Sequence, residues 1–177
     1  MNETEQLLEQ VAARARHCAH GPGRPGEPLP APLGAEEIAR AEDILGVALP
    51  PLLGQLYTCV ADGGFGPERG LLPLRQALAA YQARRASGWR WPEAVLPVAD
   101  LGCAVYACVD CRSATAQVLL FDPNTGEPDL AWSVDAPSLA GWLRGWLDGT
   151  AWFCEESALG QDHDLELAPW PEFRSRI

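Results

Sequence analysis

Three of the six cysteines lie close together along the chain, at positions 103, 108 and 111. The last two have Cys-x-x-Cys spacing, which is typical of half a zinc site and of redox-active thiols. A tetrahedral zinc site needs four ligands, and the chain has no second Cys-x-x-Cys and no closely spaced histidine pair after it. If residues 103–109 form a strand, alternation places Cys103 and Cys108 on opposite faces. We therefore expect structural thiols and no metal or cofactor, and a small cysteine-dependent or metal-binding enzyme is the alternative.

A second candidate for chemistry is the run Asp162-His163-Asp164, which has the residue types of an oriented general base or a cation site. Because neither a nucleophile nor a third ligand lies nearby in sequence, a solvated acidic turn is the preferred interpretation. The glycine-rich run at residues 63–66 follows a predicted helix, and no Gly-Lys-Ser/Thr comes after it, so it does not predict phosphate binding. Without a catalytic constellation, we expect a protein that is not an enzyme.

Charge is the clearest property of the composition. The chain has 24 acidic and 13 basic residues, all of the latter arginine, and a net charge of -11. This excess argues against nucleic-acid binding, which needs cations against phosphate, and permits a basic protein partner. Solubility explains the same excess equally well. The amino-terminal residues are acidic, unlike a secretory signal, and no apolar run reaches the ~20 residues that span a bilayer. We expect a cytoplasmic protein without membrane association and with reduced cysteines.

The stretch of residues 35–74 organises the predicted elements. It begins as a helix whose apolar face consists of residues 38, 41, 44 and 45. Gly46 stands where a left-handed helix stop is expected, and Pro51 suits the first turn of the next helix. That helix breaks at residues 62–64, Asp-Gly-Gly, where two glycines allow a sharp turn. Phe65 and the apolar run 71–74 then return to the core.

The remaining elements follow from apolar spacing and turn residues. A first helix is predicted at residues 2–18, where Asn2 and Glu5 can form a capping box, and a Pro- and Gly-rich connection leads to residue 34. A further helix is predicted at 75–87, strands at 95–98, 103–109, 117–121 and 130–134, and turns at 100–102, 112–116 and 122–126. Such short turns predict antiparallel pairing. A last helix, opened by Pro137, has apolar residues at 139, 142, 143, 146 and 147, an unbroken helical pattern.

Together these elements predict an α+β fold with N-terminal helices and a C-terminal helix packed on a central, mostly antiparallel sheet of about four to six strands. The whole chain, residues 1–177, is one domain by length. It has a core at 35–149, an N-terminal helix at 2–18 and an acidic tail at 150–177 that packs back on the core.

The order of motifs resembles the SUKH superfamily, which includes bacterial immunity proteins and a yeast regulator of cell-wall assembly. The motifs are LGVxLP at 45–50, LxxLY at 53–57, GGFG at 63–66, LLPL at 71–74, LPV at 96–98, GC at 102–103, CVDC at 108–111 and SLxxWL at 138–143. The resemblance covers residues 35–149 and carries over no catalytic residue. It implies an immunity protein that neutralises a cognate toxin, often a nuclease, by occlusion. A regulatory scaffold of the same superfamily is the alternative.

A contact surface for such a partner is expected to combine carboxylates in turns and tails with a few aromatic anchors. The candidate carboxylates are Asp62, Asp100, Asp110, Glu155, Glu156, Asp162, Asp164 and Glu166. The candidate anchors are Trp89, Trp91 and Trp152. The alternative is that the tryptophans cover the sheet.

Overall fold

The computed structural model describes residues 2–17, 28–151 and 167–177. The helices are α1 (Glu3–His17), α2 (Ala35–Leu45), α3 (Pro51–Gln55), which continues into a π-helical turn at Leu56–Val60, α4 (Leu74–Arg85) and α5 (Leu139–Asp148). The strands are β1 (Val95–Gly102), β2 (Val105–Asp110), β3 (Val118–Phe121) and β4 (Trp132–Ala136). All four pair antiparallel in the order β1-β2-β3-β4, which confirms the predicted α+β class. In the described ranges, no helix combines the length and apolar character that crossing a membrane requires.

Local capping interactions determine where several helices begin and end. At α1, the Glu5 backbone N–H donates to the Asn2 side chain at 2.9 Å, and the Asn2 backbone N–H donates to the Glu5 carboxylate at 2.8 Å. Gly46 ends α2 in the left-handed conformation, with φ 72°. The first residue of α5 is Leu139 rather than Pro137, because the Ser138 hydroxyl accepts the Gly141 N–H at 3.0 Å and acts as the cap.

The turn between β1 and β2 differs from its predicted position. The sequence predicts it at residues 100–102, but β1 continues to Gly102, which pairs with Val105. The turn is therefore Cys103-Ala104, and both residues have positive φ, 51° and 64°. Two-residue hairpin turns of this kind favour Asn and Gly, so the residues present here gave no signal of it. Cys103 consequently lies in the turn and not in a strand as predicted.

An aromatic cluster fills one face of the sheet. Tyr106, Phe121 and Trp132 are register partners across three strands and therefore share that face. The ring centroid of Trp91 lies 4.8 Å from that of Phe121 and 4.7 Å from that of Trp132. Trp170, from the C-terminal segment, extends the cluster at 5.9 Å from Trp132. In its described part, residues 167–177, the tail thus packs back on the core as expected.

Helix α5 is buried along its apolar face. Its buried side chains are Leu139, Trp142, Leu143 and Trp146, and Leu147 is half-buried. The sequence predicts this burial correctly but names only the sheet as its partner. In the structure α5 contacts α1 and α3 as well as β4, because α1 presents a buried face of its own formed by Leu7, Val11 and Ala15.

We expect Trp142→Ala to lower the free energy of unfolding by about 3–5 kcal/mol, since it empties a buried aromatic site. It also removes the indole donor to Asp135, which lies 3.1 Å away. Urea denaturation followed by circular dichroism measures the loss. Arg144→Ala is the control on the same helix, because its side chain is 45% exposed and its ion pair is with the exposed Glu3. A loss below about 1 kcal/mol for Trp142→Ala contradicts the assignment of this face to the core.

A buried ion pair attaches the end of the chain to the sheet. Asp110, the last residue of β2, is fully buried. Its carboxylate accepts hydrogen bonds from both terminal nitrogens of Arg176, at 2.7 and 3.0 Å, and from the Gln117 amide at 3.3 Å. The hydrogen bond to Asp110 also raises the pKa of Arg176. The penultimate arginine therefore compensates a charge that the sheet would otherwise bury alone.

Arg176→Ala should destabilise the protein by about 3–5 kcal/mol, because it leaves the Asp110 carboxylate buried without its cation. Arg174→Ala is a matched control two residues away. Arg174 pairs with Asp129 at 3.0 Å, but its side chain is 80% exposed, and we expect a loss below about 1 kcal/mol. Denaturant titration of both variants gives the comparison, and equal losses would refute a special role for the buried pair.

Candidate protein-contact surface

Asp62 has a structural task in the fold. The residue is half-buried, and its carboxylate accepts the backbone N–H of Leu74 at 2.7 Å. This bond satisfies one of the free donors at the start of α4. The same carboxylate and, above all, burial raise the pKa of the Tyr57 phenol. Asp62 therefore serves the start of α4, whatever else it contacts.

Two other candidate residues lie inside the protein rather than in surface turns as expected. Trp91 is 1% exposed, and its indole N–H donates to the Val95 carbonyl at 2.8 Å. Asp110 is 0% exposed and paired with Arg176. In the sequence, Trp91 belongs to no periodic pattern and Asp110 lies beside a strand, and neither feature reports tertiary burial. A partner that docks on this conformation touches neither side chain.

Six candidates from the acidic tail lie outside the described residues. They are Trp152, Glu155, Glu156, Asp162, Asp164 and Glu166. His163, Cys18 and Cys154 also lie outside them.

The remaining two candidates, Trp89 and Asp100, come to the same face of the molecule. Trp89 is half-buried and meets the Phe121 ring edge-on, with centroids 5.6 Å apart and an interplanar angle of 87°. Asp100 is the register partner of Tyr106, which is in turn the partner of Phe121. Side chains of directly paired residues lie on one face, so Asp100 and Tyr106 border the ring on which Trp89 rests.

Arg84 completes this group. Its guanidinium carbon lies 5.3 Å from the ring centroid of Tyr106 and 5.3 Å from that of Phe121, a cation–π contact with both. We call the half-buried residues Arg84, Trp89, Asp100 and Tyr106 the contact surface. Sequence reasoning missed Arg84 and Tyr106. The available signal was Tyr106 itself, the one large aromatic residue in an otherwise small-residue strand.

Cys108, which is buried, and Cys111, which is half-buried, lack the environment of reactive thiols. Burial raises the pKa of Cys108, against the opposing effect of the Arg84 charge. Burial, assisted by the Asp110 carboxylate, raises the pKa of Cys111 to about 12. Both groups therefore stay protonated near neutral pH, and the thiolate is the nucleophile and metal ligand. Cys59 and Cys103 are exposed, and within the described ranges no cluster of His, Cys, Asp or Glu could hold a metal.

Alkylation of the native protein with iodoacetamide at pH 8 should distinguish these thiols. We expect Cys59 and Cys103 to be modified, and Cys108 and Cys111 to remain free, because a raised pKa and burial both suppress thiolate formation and access. Peptide mass spectrometry gives the extent at each position, and the protein in denaturant, where all four should react, is the control. Rapid modification of Cys111 in the native protein would contradict this expectation and support the alternative of a cysteine-dependent enzyme.

One cleft in the described part of the chain is lined by charged side chains. It has a volume of about 670 Å³ and lies between α2, the end of α4 and the turn after β2. On the wall of this cleft, the Glu93 carboxylate forms ion pairs with Arg85 at 3.6 Å and with Arg112 at 2.9 Å. These are exposed ion pairs, which contribute little individually.

Comparison with known proteins identifies one family. A family model described as SMI1 / KNR4 family (SUKH-1) matches residues 32–145, which is more than half of the chain. The match runs from the residues before α2 into α5 and includes every residue of the contact surface. It includes neither α1 nor the C-terminal segment. No curated protein matches the chain.

Proposed function

Since the chain belongs to the SMI1/KNR4 (SUKH-1) family, we propose that it is an immunity protein that neutralises a cognate protein toxin by covering it. The family is generally one of non-enzymatic, protein-binding domains. The observation that supports a binding role most directly is the contact surface, where an arginine, a tryptophan and a tyrosine are held together on one face.

The composition of this surface suits a binding hot spot. Trp, Tyr and Arg are the residue types most enriched where a few side chains dominate affinity. Trp89 is held edge-on against Phe121, and Arg84 lies over two rings, so both are partly ordered before any partner arrives. Pre-ordering reduces the entropy lost on binding, which favours a tight complex.

The charge of the chain suits a basic toxin. Five of the excess acids fall in a stretch without arginine or lysine, namely Glu155, Glu156, Asp162, Asp164 and Glu166. Together with the net charge of -11, they would raise the rate at which a basic protein is encountered. In this proposal the tail acids and Asp100 steer the toxin, Trp89 anchors it, and neutralisation takes place in the cytoplasm. A nuclease is one such basic target.

The test uses the toxin domain encoded by the reading frame beside this gene, titrated with the full chain by biolayer interferometry. We expect Trp89→Ala to weaken the dissociation constant at least tenfold, chiefly through faster dissociation, because it removes an aromatic anchor. Leu130→Ala is the matched control, since Leu130 is 61% exposed and lies outside the contact surface. No complex at all, or equal effects of the two substitutions, would refute the proposed role.

A second arm of the same experiment tests steering. Replacing Glu155 and Glu156 with glutamine should slow association and flatten its dependence on salt. Glu9→Gln combined with Asp43→Asn removes the same charge from exposed positions on α1 and α2, outside both the tail and the contact surface. If both double variants change association equally, net charge alone steers the partner. Protection of cells without complex formation would exclude occlusion altogether.

A further inference from the structure

Among the arginines that the structure describes, Arg84 is the one that is half-buried and has no carboxylate within 4 Å. The others without such a carboxylate, at positions 14, 16, 40, 69, 75 and 90, are exposed. Five arginines, at positions 85, 112, 144, 174 and 176, have a carboxylate within 4 Å. Among the ion pairs and hydrogen bonds of the described residues, none involves the Arg84 guanidinium, whose neighbours there are the two aromatic rings. Within the part of the chain that the structure describes, its five N–H donors therefore have no acceptor.

The guanidinium is nevertheless held in place. Arg84 is half-buried in the last turn of α4, and the backbone carbonyl of the same residue is fixed by the N–H and hydroxyl of Ser87, at 3.0 and 2.6 Å. Two ring faces attract the cation from the side of the sheet. Contacts with ring faces leave the donors at the edge of the guanidinium plane available, and that edge is the part that recognises planar acceptors.

We propose that Arg84 receives the carboxylate of one Asp or Glu side chain of the protein partner, with Trp89 and Tyr106 contacting the apolar residues beside it. The inference rests on the proposed function, because it names the chemistry that the contact surface recognises. A carboxylate can accept two parallel N–H bonds from one guanidinium, which fixes the partner's orientation.

The surroundings favour a single carboxylate over a phosphorylated or polyanionic ligand. Asp100 borders the same surface, and the chain carries a net charge of -11, so each additional negative charge on the ligand is opposed. One negative charge matches one guanidinium. The half-buried Trp89 and Tyr106 rings of the same surface match aliphatic or aromatic neighbours of that carboxylate.

An acid-binding centre is compatible with a basic partner. Net charge acts over about a Debye length and sets the encounter rate, whereas Arg84 acts at hydrogen-bond distance and sets which face of the partner docks. A basic protein that lacks a carboxylate at the matching position would still be attracted but would leave Arg84 desolvated and unpaired, which selects against it.

The first test uses the full chain alone with a peptide library. The probes are immobilised peptides with random flanks and a central Asp, Glu, Asn, Gln or phosphoserine. We expect wild type to enrich Asp and Glu at least fivefold over Asn and Gln, with apolar flanks. Arg84→Gln should abolish this preference and Arg84→Lys should reduce it, since lysine lacks the fork. Arg75→Gln, an exposed arginine earlier on α4, should preserve it.

Three outcomes of that test overturn the inference: no acid preference, a preference that survives Arg84→Gln, or a stronger preference for phosphoserine. Arg84→Met retains an unbranched stem on the two rings and separates loss of the cation from loss of packing. Thermal melting of each variant shows whether it is folded.

The second test uses the complex with the toxin domain. We expect Arg84→Gln to speed dissociation at least tenfold and Arg75→Gln to leave it unchanged. A complex that tolerates Arg84→Gln refutes the carboxylate contact while the immunity role stands. A chain that shows the peptide preference but forms no complex with the toxin refutes the immunity role while the contact stands.

Discussion

The Phe121 ring is the point on which the rest of the structure depends. On its buried side it packs against Trp91 at 4.8 Å and Trp132 at 5.0 Å, and Trp132 in turn supports Trp170 and Phe173 of the C-terminal segment. On its outer side it supports Trp89 and the Arg84 cation. Because one ring joins the core to the contact surface, the same packing that stabilises the fold also holds the surface side chains in position.

Periodic and local features of this fold could be predicted from the sequence. Spacing alone found α5, and local chemistry found the Asn2–Glu5 cap and the left-handed Gly46. Both kinds of signal involve residues within about one or two helical turns of each other. The family was also predicted correctly from the order of its motifs, with bounds within a few residues of the match at 32–145.

Features that depend on distant residues could not be predicted in this way. The burial of Asp110 requires Arg176, which lies 66 residues later, and no local pattern connects them. The role of Arg84 appears only when α4 lies across the pair Tyr106–Phe121. The Cys103-Ala104 turn was missed for a different reason, because packing and pairing impose positive φ on residues that do not favour it. Two of the four residues of the contact surface, Trp89 and Asp100, were candidates from the sequence, and their role in binding stays a prediction.

Both outer strands of the sheet form backbone hydrogen bonds with other segments of the same chain. Along β4, the Val134 N–H donates to the Ala168 carbonyl at 2.8 Å, and the Trp170 N–H donates to the Trp132 carbonyl at 3.1 Å. Along β1, the Leu72 N–H donates to the Val98 carbonyl at 2.8 Å. Segments of the same chain thus occupy backbone groups on both outer strands, which opposes recognition by an added strand. Recognition by side chains is then favoured, and the contact surface is where the Arg84 guanidinium and half-buried rings come together.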